Sequence, residues 1–256
     1  MSKFLKKFYI GLVLVFLYLP IAVMIFLSFN SGKSRSNFDS VSLRWYEQVF
    51  QDASMMKALW VTLSIAVLAM VVSTLIGTVA AIGIHAMKKR PQAWMMTLTN
   101  LPNTMPDIVT GISLLLLFMF TKVERGYFTM LLAHITFDIP YVILSVLPKL
   151  KQMNKHTYEA ALDLGASPMY AVTHVIIPEC KQGIVTGALL AFTLSMDDFT
   201  ISYFTTSPMV QNLSTKIYSA TKLGITPDYY ALSSLMFVAM LVLLLIINKR
   251  SNVLAS

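Results

Sequence analysis

The sequence predicts an all-α integral membrane protein with six transmembrane helices, and three observations carry that prediction. Of 256 residues, 56% are hydrophobic and only 12% charged, and the mean hydropathy is +0.68, more apolar than a soluble domain can hide. The apolar residues gather into runs long enough to cross a hydrocarbon core of about 30 Å, which takes roughly 20 helical residues. Lys and Arg flank those runs in short groups and form no basic tract, so the net charge of +8 fits membrane orientation and not nucleic-acid binding. Only closed hydrogen bonding is tolerated inside a bilayer, which makes the runs helices.

The first run covers residues 8–29 behind Lys3, Lys6 and Lys7. It is too long for the apolar part of a signal peptide and lacks a small-x-small cleavage site, so it reads as a retained anchor with a kink near Pro20. A polar segment from Asn30 to Ala58 follows, and its Trp45 and Tyr46, with Trp60 just beyond, read as interfacial aromatics. The second span covers about 59–84 and ends in Lys88, Lys89 and Arg90.

A third span, about 94–120, is interrupted by Leu101-Pro102-Asn103-Thr104-Met105-Pro106-Asp107. Two prolines four apart remove two amide donors and clash with the preceding turns, so this helix should be broken within the membrane or at its edge. Irregular backbone at that depth must line protein or a wet cavity. The fourth span runs over about 127–147 and contains Asp138-Ile139-Pro140; the fifth, about 183–204, contains Asp197 and Asp198; the sixth is about 229–247.

With both ends inside, twelve Lys and Arg fall on the inner side: Lys3, Lys6, Lys7, Lys88, Lys89, Arg90, Lys149, Lys151, Lys155, Lys181, Lys249 and Arg250. Eight fall outside: Lys33, Arg35, Arg44, Lys57, Lys122, Arg125, Lys216 and Lys222. The inner charges cluster at helix ends, where the positive-inside rule is strongest. This orientation puts the mostly polar stretch from Glu159 to Pro178, within a loop of about 149–182, in the cytoplasm.

That stretch reads as two short helices. Thr157 can cap a helix through Leu164, Gly165 can end it in a left-handed conformation, and Ser167 with Pro168 starts another. Glu159 and Asp163 share a face, a like-charge pair that an isolated helix does not favour and a partner explains better. The pattern of Glu159, Ala160, Ala161, Gly165 and Pro178, with Val175 and Ile177 where an Ile and a Leu are usual, resembles the cytoplasmic EAA loop of binding-protein-dependent ABC importer permeases. The resemblance implies a coupling helix that docks in a groove of an ATPase subunit, with Glu159, Ala160, Ala161, Asp163, Gly165 and Pro178 at that contact.

The chain carries no Walker phosphate loop, no His-Glu-x-x-His metal helix and no Gly-rich dinucleotide turn, so energy for uphill transport must come from a partner. His85, His134, His156 and His174 are too dispersed for a ligand spacing and read as loop or interface histidines. The single cysteine, Cys180, excludes an intrachain disulfide and a cysteine-only metal site.

The remaining chemistry lies in Asp107, Asp138, Asp197 and Asp198, all in or near apolar spans, where an acid costs about 2.5 to 3.5 kcal/mol on insertion scales and is by default functional or paired. No Lys or Arg lies within those spans. Adjacent acids on a helix point about 100° apart, so Asp197 and Asp198 should meet something cationic or aqueous. Capping of broken helices is the alternative reading for each of the four.

The strings at 105–118, 133–137 and 191–199, with Ser28-Phe29-Asn30-Ser31 and Arg44-Trp45-Tyr46, are similar to the PotC-type permease subunits of spermidine/putrescine ABC importers, over nearly the whole chain. What this resemblance implies is a single permease domain over 1–256 of the type I ABC importer kind, in the bacterial inner membrane with both termini cytoplasmic. It implies a complex with a sister permease, two ATPase subunits that bind the ATP and Mg²⁺, and a periplasmic polyamine-binding protein. The permease itself would be non-catalytic, with no cofactor of its own. Polyamine ammonium groups would find Asp107, Asp138, Asp197, Asp198 and Ser195 along the path, with Trp45 and Tyr46 as cation–π candidates. An importer for another solute would share the loop without needing the acids, and a proton-coupled secondary transporter would use the acids without the loop.

Overall fold

The computed structural model describes residues 3–32, 37–154 and 156–254; Lys33, Arg35 and Lys155 of the charge bias lie outside them. The described residues form helices joined by short turns, with isolated bridges at Asn30–Val41 and Ser207–Val210 in place of any strand.

The first helix, α1 (Lys3–Ser28), runs continuously with Pro20 inside it. A short α2 (Arg44–Gln51) follows, and α3 (Ala53–Ala86) then starts behind Asp52, whose Oδ1 accepts the amides of Ser54 at 2.7 Å and Met55 at 3.1 Å. That cap starts α3 earlier than hydropathy alone suggests, and with α2 it makes much of the later part of the segment read as polar connection, from Arg44 to Ala58, helical. Trp60 is 70% exposed, as an interfacial aromatic would be.

The third apolar run becomes α4 (Lys89–Thr104) and α5 (Asp107–Phe120), bent by 102° between them. The run therefore begins at Lys89, and its break falls at Pro106 while Pro102 is absorbed in the last turn of α4. Pro106 forces Met105 out of the helical region, to φ −85° and ψ 146°, because its ring clashes with a helical predecessor. The next helix, α6 (Tyr127–Gln152), extends past the expected end and keeps both Pro140 and Pro148 inside it.

The loop carries α7 (His156–Asp163), then Gly165 at φ +87°, then α8 (Pro168–Ala171), where Ser167 Oγ accepts the Tyr170 amide at 3.3 Å. The α7 start differs from the expected Thr157 cap, since Asn154, three residues earlier, accepts the His156 amide on Oδ1 at 3.1 Å and Thr157 lies inside the helix. A π-turn (Val172–Ile176) leads into α9 (Ile177–Glu179). The wider turn ends just before Pro178, whose ring would strike the carbonyl four residues back in a regular α-turn.

The fifth run does not continue to Phe204 as one helix. It divides into α10 (Lys181–Asp197) and α11 (Thr200–Thr205), parted at Asp198–Phe199. A helix not anticipated from hydropathy, α12 (Leu213–Leu223), precedes α13 (Pro227–Leu254). Among the described residues, three helices are long and apolar enough to cross a membrane alone, from Leu5–Ser28, α3 and α6; counting each of two bent pairs as a broken span gives up to five.

The residues divide into two compact units, 1–57 with 217–256, and 58–216. In the first, α1 and α2 pack against α13. In the second, α6 is central and packs against α4, α10 and α11, while α5 lies on α11. Its core joins Ala81 and Ile84 to Val142, Ile143, Val146, Leu147 and Leu150, and reaches Ile176 and Cys180 of the loop. Small residues let the helices close: a Cβ on Gly77 would stand 2.7 Å from Val142 Cβ, and one on Gly183 would stand 2.8 Å from the Ser145 carbonyl oxygen.

Candidate functional site

The break after Asp197 is where the predicted acids meet the rest of the second unit. The Asp198 carboxylate accepts the Ile201 amide on Oδ1 at 3.1 Å and the Ser202 amide on Oδ2 at 2.7 Å, two of the donors that a helix start leaves without intrahelical partners. Its side chain is only 8% exposed. Asp197, one residue earlier, is exposed at the end of α10. The adjacent acids thus have different surroundings: one is turned inward onto α11 and the other is open.

A buried polar chain runs behind the break. Asn212 Nδ2 donates to Ser202 Oγ at 2.8 Å, His134 lies between Ser202 (Nε2 to Oγ, 2.9 Å) and Ser195 (Nδ1 to Oγ, 3.0 Å), and Ser195 donates to Asp138 Oδ2 at 2.7 Å. The two ends fix the middle. With Asp138 ionised, Ser195 gives its proton to that carboxylate, so Ser195 Oγ accepts from His134, and a neutral imidazole then carries its proton on Nδ1 and accepts from Ser202 on Nε2. Each hydroxyl in the chain then donates once and accepts once, and each ring nitrogen has one partner. His134 Nε2 is also 3.6 Å from Asp198 Oδ2, an electrostatic neighbour beyond hydrogen-bond reach.

Asp138 is fully buried well inside α6, so it caps no helix end, and its Oδ1 has no hydrogen-bond partner among the described residues. Asp107 is exposed on the first turn of α5, where the helix dipole favours an acid. The structure thus brings Asp138, Ser195 and Asp198 into one cluster, with Asp197 at its rim. His134, read from the sequence as a loop or interface residue, is instead the centre of that cluster and 1% exposed. His134 and Asp138 are four apart on one helix face inside an apolar run, and that spacing is the signal that could have found it.

Trp45 and Tyr46 belong to the first unit. Trp45 is 2% exposed, with its indole N–H donating to the Asn30 carbonyl and the Arg44 guanidinium 5.3 Å from its ring, so it is a packed residue and not an interfacial one. Tyr46 shares a hydrogen bond with Ser28 at 2.6 Å and lies 5.3 Å from the Phe29 ring.

On the loop, Glu159, Ala160, Asp163, Gly165 and Pro178 are exposed and Ala161 is half-buried. Glu159 pairs with His156 at 3.1 Å. Leu164 is 89% exposed, Met169 and Tyr170 are also open, and Tyr170 stacks on His174 with centroids 4.0 Å apart. An apolar tip beside two acids suits a protein partner better than water. At the loop's end Cys180 is buried, and burial with the nearby Glu179 pushes its thiol up, against a smaller opposing effect of Lys149.

Comparison with known proteins shows the family and the fold of the chain. Residues 73–254 match the family described as binding-protein-dependent transport system inner membrane component. The chain is 34% identical over 244 residues to the spermidine/putrescine transport system permease protein PotC of Escherichia coli, covering 95% of this chain and 92% of that one. It is 33% identical to the Haemophilus influenzae protein of the same name, covering 98% of this chain and 100% of that one. The putrescine transport system permease protein PotI of Escherichia coli is 35% identical, over 86% of this chain and 81% of its own. In fold, the chain matches a chain of a bacterial ABC transporter crystal structure, one involved in alginate import, with a TM-score of 0.73 over 95% of this chain and 92% of that one, at 17% identity. The chain belongs to the inner membrane component family of binding-protein-dependent transport systems.

Proposed function

We propose that this chain is a transmembrane subunit of an ATP-driven importer that takes up polyamines, spermidine or putrescine or both, and that it forms half of the translocation path. The observation that carries the reading is the open carboxylate of Asp197 at a helix break, beside an inward-turned Asp198. An ammonium group leaving water needs charge along its way, and a break inside a span is where backbone and carboxylate become available to it. The 33 to 35% identity to permeases named for spermidine and putrescine transport supports the same substrate class.

In this reading the chain is one permease domain with six crossings, α13 supplying the last, and both termini are cytoplasmic. Two ATPase subunits hold ATP and Mg²⁺ and do the hydrolysis; the chain has no cofactor and catalyses nothing itself. A sister permease completes the path and a periplasmic binding protein delivers the polyamine. Asp107 and Asp197 supply open polar stations, Asp138, Asp198 and Ser195 stand behind them as buried polar groups, and Tyr46 is the aromatic candidate, since Trp45 is packed away with Arg44 at its ring. Glu159, Ala160, Ala161, Asp163, Gly165 and Pro178 form the ATPase contact.

The test is putrescine and spermidine uptake by cells carrying Asp197→Asn, with assembled complex matched to wild type. Uptake should fall strongly, and near-normal uptake would reject the cation path. In parallel, the purified subunit alone should hydrolyse no ATP.

A further inference from the structure

The polar chain around His134 lies at one end of the close-packed α6–α10 pair, and the exposed loop lies at the other. On the sequence, 153–180 is the connection between α6 and α10. These two helices lie flush: a Cβ on Gly187 would be 3.1 Å from Val142 Cα, and one on Gly183 would be 3.1 Å from Val146 Cα. At the loop end Lys149 donates to Gln182 at 3.1 Å, and the core shared by Leu150, Ile176 and Cys180 also takes in Tyr158 and Val172. The loop is therefore packed into the base of the pair and does not hang from it. Close-packed interiors shift as bodies and do not deform smoothly, so displacement of the loop must carry α6 and α10 with it.

Something must then carry that displacement across the interruption at Asp198–Phe199, because α10 stops there. Ser195 precedes the interruption, Ser202 follows it, and His134 on α6 bonds to both, at 3.0 and 2.9 Å. The imidazole ring suits this task because it offers a donor and an acceptor on separate ring edges, within one stiff and buried side chain. Apolar packing of Ile201 against Ala133 and Phe137 supports the same junction, and Thr129 Oγ1 donates to the Thr205 carbonyl at 2.8 Å at the far end of α11. With those ties present, losing His134 should loosen the junction without unfolding the unit.

We infer that His134 is a positioning residue that fastens α11 and Asp198 to the α6–α10 pair, so that movement at the 149–182 loop reaches the carboxylates at the break. The inference rests on the proposed importer role and adds to it the residue through which loop and path are joined.

The experiment uses the complex assembled with its ATPase, sister permease and binding protein in proteoliposomes, carrying wild-type chain, His134→Leu, His134→Gln or Ser202→Ala. Uptake of labelled putrescine and ATP hydrolysis are measured together. His134→Leu should retain hydrolysis while uptake per ATP falls about tenfold, within the range by which such coupling residues act. His134→Gln, whose amide keeps one donor and one acceptor, should recover part of the loss, and Ser202→Ala should shift the ratio in the same direction by less. An unchanged ratio in His134→Leu overturns the inference, as does uptake falling only in proportion to complex amount and hydrolysis; if His134→Leu fails to assemble, an unchanged ratio in Ser202→Ala overturns it instead. A second readout does not depend on substrate: spin labels replacing Val185 and Tyr203, on either side of the break, should give a narrow distance distribution with and without ATP in wild type and a broad one in His134→Leu. A wild-type complex that takes up no polyamine overturns the proposed substrate and leaves this distance test to decide the fastening by itself. A broad wild-type distribution overturns the fastening.

Discussion

Gly187 on α10 stands so close to Val142 on α6 that a β-carbon there would lie 3.1 Å from the Val142 Cα and 3.3 Å from the Ser145 Cβ. Membrane helices have no hydrophobic drive toward each other beyond what lipid offers, so close backbone approach at small residues is what holds such a pair.

Replacement of Gly183 by Val should therefore push α10 off α6, because the new Cβ would start 2.8 Å from the Ser145 carbonyl oxygen, a backbone atom that cannot swing aside. Overpacking of this kind costs about 1 to 3 kcal/mol. Thermal unfolding of the detergent-solubilised protein should show a clear loss of melting temperature. Gly83→Ala is the control: nothing lies within 4 Å of a Cβ there, so its melting temperature should stay the same or rise.

The two adjacent acids should separate in their phenotypes. Asp197→Asn removes an open charge and should lower uptake with little change in complex amount. Asp198→Ala deletes the acceptor of two α11 amides and should cost about 1 to 2 kcal/mol, read as a lower melting temperature before any transport assay. Equal thermal stability of the two variants would contradict the assigned cap.

Gly165 is held at φ +87° with open space around it, so the cost of a side chain there is conformational and not steric crowding. A left-handed non-glycine residue costs roughly 1 to 2 kcal/mol and a β-branched one more. Gly165→Val should leave insertion intact while weakening co-purification of the ATPase and uptake, and Gly165→Asn should be milder because Asn tolerates that conformation. Wild-type uptake in the Val variant would count against the docking role.

Alkylation of Cys180 should be slow in the folded protein for two reasons: the side chain is 1% exposed, and burial raises its thiol above the usual value. A raised thiol leaves less thiolate at neutral pH, and thiolate is the nucleophile, so the maleimide rate should climb as pH rises into the alkaline range. Denaturant at neutral pH should produce a large jump in rate. Rapid labelling of the native protein at pH 7 would contradict the buried position.

The helical class and the break before Asp107 were legible because both rest on local chemistry: apolar runs of sufficient length, and a proline that restricts Met105. The left-handed Gly165 and the Ser167 cap were legible for the same reason. The start of α7 was misjudged by one cap, since Asn154 and Thr157 are both competent acceptors and local sequence does not choose between them. The break after Asp197 was hidden, because no residue there lacks an amide. It is set by Asp198 taking amides of the next helix and by Ser202 meeting His134 across 68 residues, a contact that no local window contains. Trp45 was misread because an indole at a span's end suits water and lipid, whereas here it finds the Asn30 carbonyl and a packed site.

The inward turn of Asp198 also bears on how long a polyamine would linger at the break. Only 8% exposed and with each of its two oxygens accepting a backbone amide, Asp198 is turned away from an arriving ammonium group, while Asp197 beside it stands open. A solvated single ion pair is worth about 0 to 1 kcal/mol, whereas two carboxylates gripping a diamine together would add avidity. Residence time grows tenfold for each 1.4 kcal/mol of added affinity, so a second open carboxylate would turn a stepping stone into a trap. In the proposed polyamine path, folding the second acid into the helix would keep the hold brief, setting throughput above capture and leaving capture to whatever delivers the cation.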